Sequence, residues 1–256
     1  MILAAFRVRS LLAAPLVVAL AGCSHARGAE EERERANVQD AMKTFIGDQV
    51  ASWLSATRAL AEHAPVPNDR GWSATLDRAA IAAMKKDWEA ARWAYERVEG
   101  AVAPMFPESD TATDARYDDF LMTLGAAGDP NAFDDRGVVG MHAVERVLWA
   151  DAMPPEVAKF ERGIPGYRAA RFPENATDAL DFKQKLAGRL VLDVEKLERE
   201  FSPLALDIAF AFRGLVDLAA EQVEKVDRAA TGQEESRYAQ ATLRDLRANR
   251  EGCLLA

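Results

Sequence analysis

Cysteine and histidine are scarce in this chain, at two and three residues respectively among 256. A metal site built on thiolates is therefore excluded. No His-Glu-x-x-His and no Gly-x-Ser-x-Gly occurs, so neither the usual zinc-peptidase helix nor a serine nucleophile elbow is present. Basic residues are not in excess. The net charge is −9, with Lys and Arg interspersed among Asp and Glu, and no basic face exists to displace the counterions of a nucleic acid. Alternating β-branched runs are also missing, which points away from sheets and towards an all-α fold. The longest apolar run, residues 11–21, falls short of the roughly 20 residues a spanning helix needs.

That run is an export signal. Arg7 and Arg9 precede it, and it ends in Leu20-Ala21-Gly22-Cys23, which resembles the bacterial lipobox with Cys23 as the lipidated residue. Residues 1–22 are then a signal peptide, and residues 23–36, rich in Arg, Glu and Ala, form a polar tether. The expected location is the cell envelope, anchored by acyl chains and facing the periplasm or the surface. Ser24 is not the Asp that can signal inner-membrane retention in enteric bacteria. With Cys23 acylated, Cys253 has no partner for an internal disulfide.

The remainder reads as successive helices separated by Pro and Gly clusters. Expected helices cover residues 38–62, 72–103, 120–124, the stretch from Gly140 to Asp151, 176–199, 203–230 and 234–255. Pro104 and Pro107 are expected to stop the second, and Ser202 to cap the helix that begins at Pro203. The acidic residues 108–119 are expected to begin in a loop. Residues 160–173 hold Gly163, Pro165, Gly166 and Pro173 and mark a boundary between a first half (about 37–158) and a second (about 174–256).

Two helices carry chemistry. In Gly140-Met141-His142-Ala143-Val144-Glu145-Arg146-Val147-Leu148-Trp149, His142 and Glu145 are i and i+3 and share a helical face. In Arg92-Trp93-Ala94-Tyr95-Glu96-Arg97-Val98-Glu99, Glu96 and Glu99 have the same spacing. Paired carboxylates repel unless a cation or a base lies between them. On its own this pair reads as a solvated acidic face with Arg92 and Arg97 nearby. Packed together, the two helices offer three carboxylates and one imidazole, the donor set with which helical proteins hold iron, manganese or zinc. Asp110 and Asp114 follow and could add an oxygen. His63 beside Pro65 reads as a helix-end surface residue, and His25 lies in the tether.

The ordered blocks "ARxxYERVE", "DxxxDAR" and "GxHxxExxLW", with a fourth from Thr231 to Gly252, resemble the imelysin-like family, and most closely its EfeO-type periplasmic iron-uptake members. The resemblance runs from about residue 37 to the end. It implies an imelysin-like helical bundle of two bundle-like halves and a metal site formed by Glu96, Glu99, His142 and Glu145, with Asp114 as the fifth ligand. Gly140 matches the family glycine before the His, while Tyr95 and Trp149 match as packing residues. In the fourth block, Ala239-Gln240-Ala241-Thr242 stands where the family has Ser-His-Thr-Asp. Family members continue for several helices beyond this block. The second half is accordingly expected to be incomplete, or else a partner covers Leu254 and Leu255.

The expected function is that of an envelope lipoprotein that binds a metal ion, iron first and zinc or manganese next, in uptake or delivery. The expected partners are the ion, the membrane through the anchor, and an envelope permease or other protein. A metallopeptidase is the rival, weakened by the single well-placed imidazole. A metal-dependent polysaccharide-binding or interaction module is the third reading. Trp53, Trp72, Trp88, Trp93 and Trp149 would serve it if exposed, but their helical spacing suits a core.

Overall fold

A computed structural model describes the backbone from residue 14 and the side chains from residue 28 to 256. The first residues of the export run, and the side chain of Cys23, lie outside what is described. The chain divides into two compact units, one running to Met42 and one from Lys43 to Ala256. Helix α1 (Ala14–His63) begins in the first. Residues 29–38, most of them in the expected tether, are helical and exposed. No helix among the described residues is long and apolar enough to cross a membrane.

The described residues contain helices and turns but no strand, and the all-α class holds. After α1 come α2 (Arg78–Glu96), α3 (Glu99–Met105), α4 (Pro107–Asp114), α5 (Tyr117–Leu124) and α6 (Gly140–Leu148). Then follow α7 (Pro155–Glu161), α8 (Ala176–Asp181), a π-helical turn over Phe182–Leu186, α9 (Ala187–Phe201), α10 (Ile208–Asp227) and α11 (Thr242–Leu255). Within Lys43–Ala256, α3 packs along α10, α2 along α11, and α6 against α2, α4 and α9. Helices from both sides of residues 160–173 thus share one core. Trp53, Trp88 and Tyr95 anchor it, with Trp53 and Tyr95 ring centroids 4.9 Å apart; burial of each such side chain contributes roughly 1.5–3 kcal/mol.

Five expected boundaries are corrected. The helix over residues 72–103 is two helices, with the break at Arg97 and Val98. Asn249 Nδ2 donates to the Glu96 carbonyl, satisfying an acceptor that the end of α2 would leave orphaned. Residues 74–77 turn before α2, and Asp77 accepts from the Ser73 N–H. Residues 107–114 are helix rather than loop, because Pro107 suits the first helical position and Glu108 and Asp110 complement its dipole. Helix α10 starts at Ile208, where Asp207 accepts from the Phe210 N–H, and Ser202 is instead the C-cap of α9, its N–H donating to the Glu198 carbonyl. Helix α11 starts at Thr242, so residues 231–241 are irregular.

Small residues allow the close approaches that assemble the interior. Gly214 of α10 lies against the Gly100 carbonyl of α3, and Gly252 of α11 against the Arg97 carbonyl at the α2–α3 break. A Cβ at either position would strike backbone. These contacts bring Lys225, Asp245 and Asn249 up to Glu96 and Glu99.

Candidate metal centre

Helix α6 is buried along its whole length. Its first turn is fixed by Trp88 Nε1, which donates to the Met141 carbonyl at 2.9 Å. Gly140 precedes His142 with φ +87°, and a Cβ there would lie 2.7 Å from the Thr113 carbonyl oxygen. The Gly-x-His spacing therefore has a physical cause. Only glycine adopts this backbone at so short a distance from the end of α4, and that approach sets His142 beside Asp114.

His142 is 1% exposed. Its Nδ1 lies 2.9 Å from Glu145 Oε2, and Glu145 Oε1 accepts the backbone N–H groups of Tyr238 and Ala239 at 3.0 and 2.8 Å. The other ring nitrogen, Nε2, is buried without a hydrogen-bond partner. It faces Asp114 Oδ1 at 3.4 Å and Glu235 Oε1 at 3.9 Å. Asp114, His142 and Glu235 each present a ligand atom within 4.8 Å of the others. A carboxylate that holds Nδ1 and so turns Nε2 towards oxygen donors is how proteins orient a metal-bound histidine.

Two cations share this interior. The Arg92 guanidinium, 1% exposed, pairs with Glu96 and Asp114, with Glu235 at 3.0 Å and with Asp245 at 3.9 Å. Lys225 meets Glu96, Glu99 and Glu235 at 3.7, 3.1 and 3.8 Å. Carboxylates still outnumber these cations. Burial pushes Glu96 up to about 8 against the pull of Arg92 and Lys225, and burial with Glu96 nearby pushes Asp245 up to about 7. Burial also drives the His142 imidazole well below its ordinary value, with Arg92 acting in the same sense, so the ring is neutral. Glu235 differs: burial alone would raise it, but Lys225 and Arg92 outweigh burial and hold it down near 2. A neutral imidazole facing an ionised Glu235 and the carboxyl group of Asp114 fits a cation. Such an ion would share Asp114 and Glu235 with Arg92.

The expected site residues all line this one interior but divide by role. Asp114 and His142 face the common point. Glu145 turns away from it to orient His142. Glu96 and Glu99 face Lys225, and Asn249 Nδ2 donates to Glu99 at 2.8 Å. Glu235 is the residue that helical reasoning missed. It sits in the block from Thr231, but within a segment expected to be helix. Arg92 stood in plain view as a surface partner of Glu96, whereas Lys225 gave no local signal, because among Glu221 and Glu224 it reads as an ordinary charged helix face. The expected surface position of His63 agrees with its place at the end of α1, where Nδ1 meets Asp87 at 2.5 Å.

The turn carrying Glu235 is tied down separately. Ala230 and Gln240, the non-glycine residues with positive φ among those described, bracket it. The Tyr238 hydroxyl donates to Glu161, which also receives a two-pronged contact from Arg146. Arg237 pairs with Asp118 at 2.8 Å. Comparison with curated proteins finds no match. The family model described as Imelysin (peptidase M75) matches residues 36–253, a span that takes in α2, α4, α6, the Glu235 turn and most of α11, and the chain belongs to the imelysin family.

Proposed function

We propose that the chain is a metal-binding protein of the cell envelope that takes one ion at Asp114, His142 and Glu235, and that it serves iron uptake or delivery as EfeO-type members of its family do. The observation that carries the reading is the buried, unpartnered His142 Nε2 aimed at two carboxylates while Glu145 fixes the other ring nitrogen. One imidazole with carboxylate oxygens suits iron, manganese or zinc and disfavours copper(I). The Leu20-Ala21-Gly22-Cys23 sequence supports a lipid tether at Cys23, which would leave the cation site free to meet an envelope permease.

A metallopeptidase has less support, since a single imidazole reaches the cluster and Glu145, the nearest candidate base, already accepts two backbone N–H groups. Polysaccharide stacking is disfavoured because Trp53, Trp72 and Trp88 are buried and Trp93 and Trp149 half-buried. The deciding experiment measures iron, zinc and manganese affinity and stoichiometry of the purified chain beside His142→Ala. Stoichiometric binding lost in the variant supports the proposal. A folded parent that binds none of the three metals overturns it.

A further inference from the structure

Lys225 is 3% exposed, on a helix whose neighbouring Glu221 and Glu224 face solvent. Its ammonium is surrounded by oxygen. Nζ lies 3.2 and 3.1 Å from the two Glu99 oxygens, 3.5 Å from Asn249 Oδ1, 3.7 Å from Glu96 Oε2 and 3.8 Å from Glu235 Oε2. These donors come from four separate places in the fold: the end of α2, the start of α3, the turn before α11, and α11 itself. Glu96 is fully buried; its Oε1 pairs with Arg92, and its Oε2 has no hydrogen-bond partner. A cavity of about 270 Å³ lined by Glu99, Asp110, Asp114, Lys225 and Glu235 adjoins this cage, so a small ion has room to reach it. Glu235 joins the two places, with Oε1 towards His142 and Oε2 towards Lys225.

We infer that Lys225 is a built-in cation filling a second, all-oxygen cation position, and that it limits the chain to one bound metal ion where its carboxylates would hold two. An ammonium is compact and point-like, as the cage requires. Without it, Glu99 would keep no ion-pair partner and Glu96 only Arg92, and two buried carboxylates sharing one guanidinium call in either a proton or another cation. Oxygen-only donors select hard ions such as Mn²⁺ or Ca²⁺. The inference rests on the proposed function only for the first ion; the cage itself is independent of it.

The test counts Mn²⁺ bound by the full chain, by Lys225→Met, which keeps most of the stem but loses the charge, and by Lys225→Arg. Lys225→Met is expected to bind one Mn²⁺ more than the parent, Lys225→Arg no more than the parent, and adding Glu99→Gln to Lys225→Met to abolish the gain. A folded Lys225→Met with parental stoichiometry overturns the inference. Should Lys225→Met be unfolded without metal, recovery of its helical circular dichroism on adding Mn²⁺ supports the inference, and failure to recover overturns it. The two readings separate cleanly. No ion in the parent and one in the variant removes the proposed function and keeps the cage, whereas one ion in each does the reverse.

Discussion

His142 Nδ1 lies 2.9 Å from Glu145 Oε2, while the other Glu145 oxygen receives the N–H groups of Tyr238 and Ala239. The pair therefore joins helix α6 to the turn that carries Glu235. It sets the rotation of the imidazole and the position of an oxygen donor at once. Spacing alone placed His142 and Glu145 on one face, and the structure turns one of them towards the other.

This division of labour predicts an ordering of variants. His142→Ala and Glu235→Ala each remove a donor at the common point and should abolish measurable metal binding. Glu145→Gln keeps the shape but weakens the hold on Nδ1, so affinity should fall by about 10–100-fold. Glu99→Gln, whose partners are Lys225 and Asn249, should change affinity for the first ion only a few-fold. Titration calorimetry with Mn²⁺ or Zn²⁺ reads all four. A Glu99→Gln variant as inactive as Glu235→Ala would mean that Glu99 belongs to the inner ligand set.

Gly140→Ala should cost stability and binding together. The backbone sits at φ +87°, and the added Cβ would lie 2.7 Å from the Thr113 carbonyl oxygen and 2.9 Å from that of Ala112. The left-handed conformation alone costs an L-residue roughly 1–2 kcal/mol, and relief of the contact must push α6 away from α4, separating His142 from Asp114. Urea unfolding should show a loss of more than about 1 kcal/mol. An unchanged midpoint would show that the α4–α6 approach is not tight.

Helix α6 and the all-α class were legible in the sequence because the information is local: Met141, Val144, Val147 and Leu148 recur at helical spacing, and Pro and Gly clusters break the chain. Glu96 and Glu99 looked like a pair on one continuous helix because nothing nearby says that Asn249 will cap the Glu96 carbonyl. Glu235 was hidden for the opposite reason. Residues 231–241 have tolerable helix formers, and long-range contacts, of Tyr238 with Glu161, of Arg237 with Asp118 and of the Tyr238 and Ala239 amides with Glu145, hold them in a turn. Lys225 was beyond reach, since burial of one lysine on a helix rich in charge depends on Gly214 letting α10 come down onto Gly100.

Tyr238→Phe tests the anchoring of that turn. The hydroxyl donates to Glu161, which is fully buried and otherwise held by Arg146. Its removal strips one partner from a buried carboxylate, at a cost of about 1–3 kcal/mol. Because Tyr238 is three residues from Glu235, metal affinity should fall as well, although Tyr238 touches no candidate ligand atom on the ion side. A loss of stability with parental affinity would uncouple the anchor from the site.

The pH dependence of binding has a definite sign. Nε2 of His142 offers its lone pair only when the ring proton sits on Nδ1, and that proton then donates to Glu145 as a carboxylate. Burial pushes Glu145 up to about 8, against the Ala239 N–H and Arg92, so below that pH the pair carries one proton too many for a cation to bind. The imidazole, held well below its ordinary value mainly by burial, adds no second proton in this range. Metal affinity should therefore rise with pH by about tenfold per unit between pH 6 and roughly 8, then level off, with about one proton released per ion. Calorimetry with Mn²⁺ in buffers of differing ionisation enthalpy counts that proton directly. An affinity that levels off near pH 6.5 would assign the proton to an ordinary histidine, and a flat profile from pH 6 to 9 would place the ion away from His142 altogether.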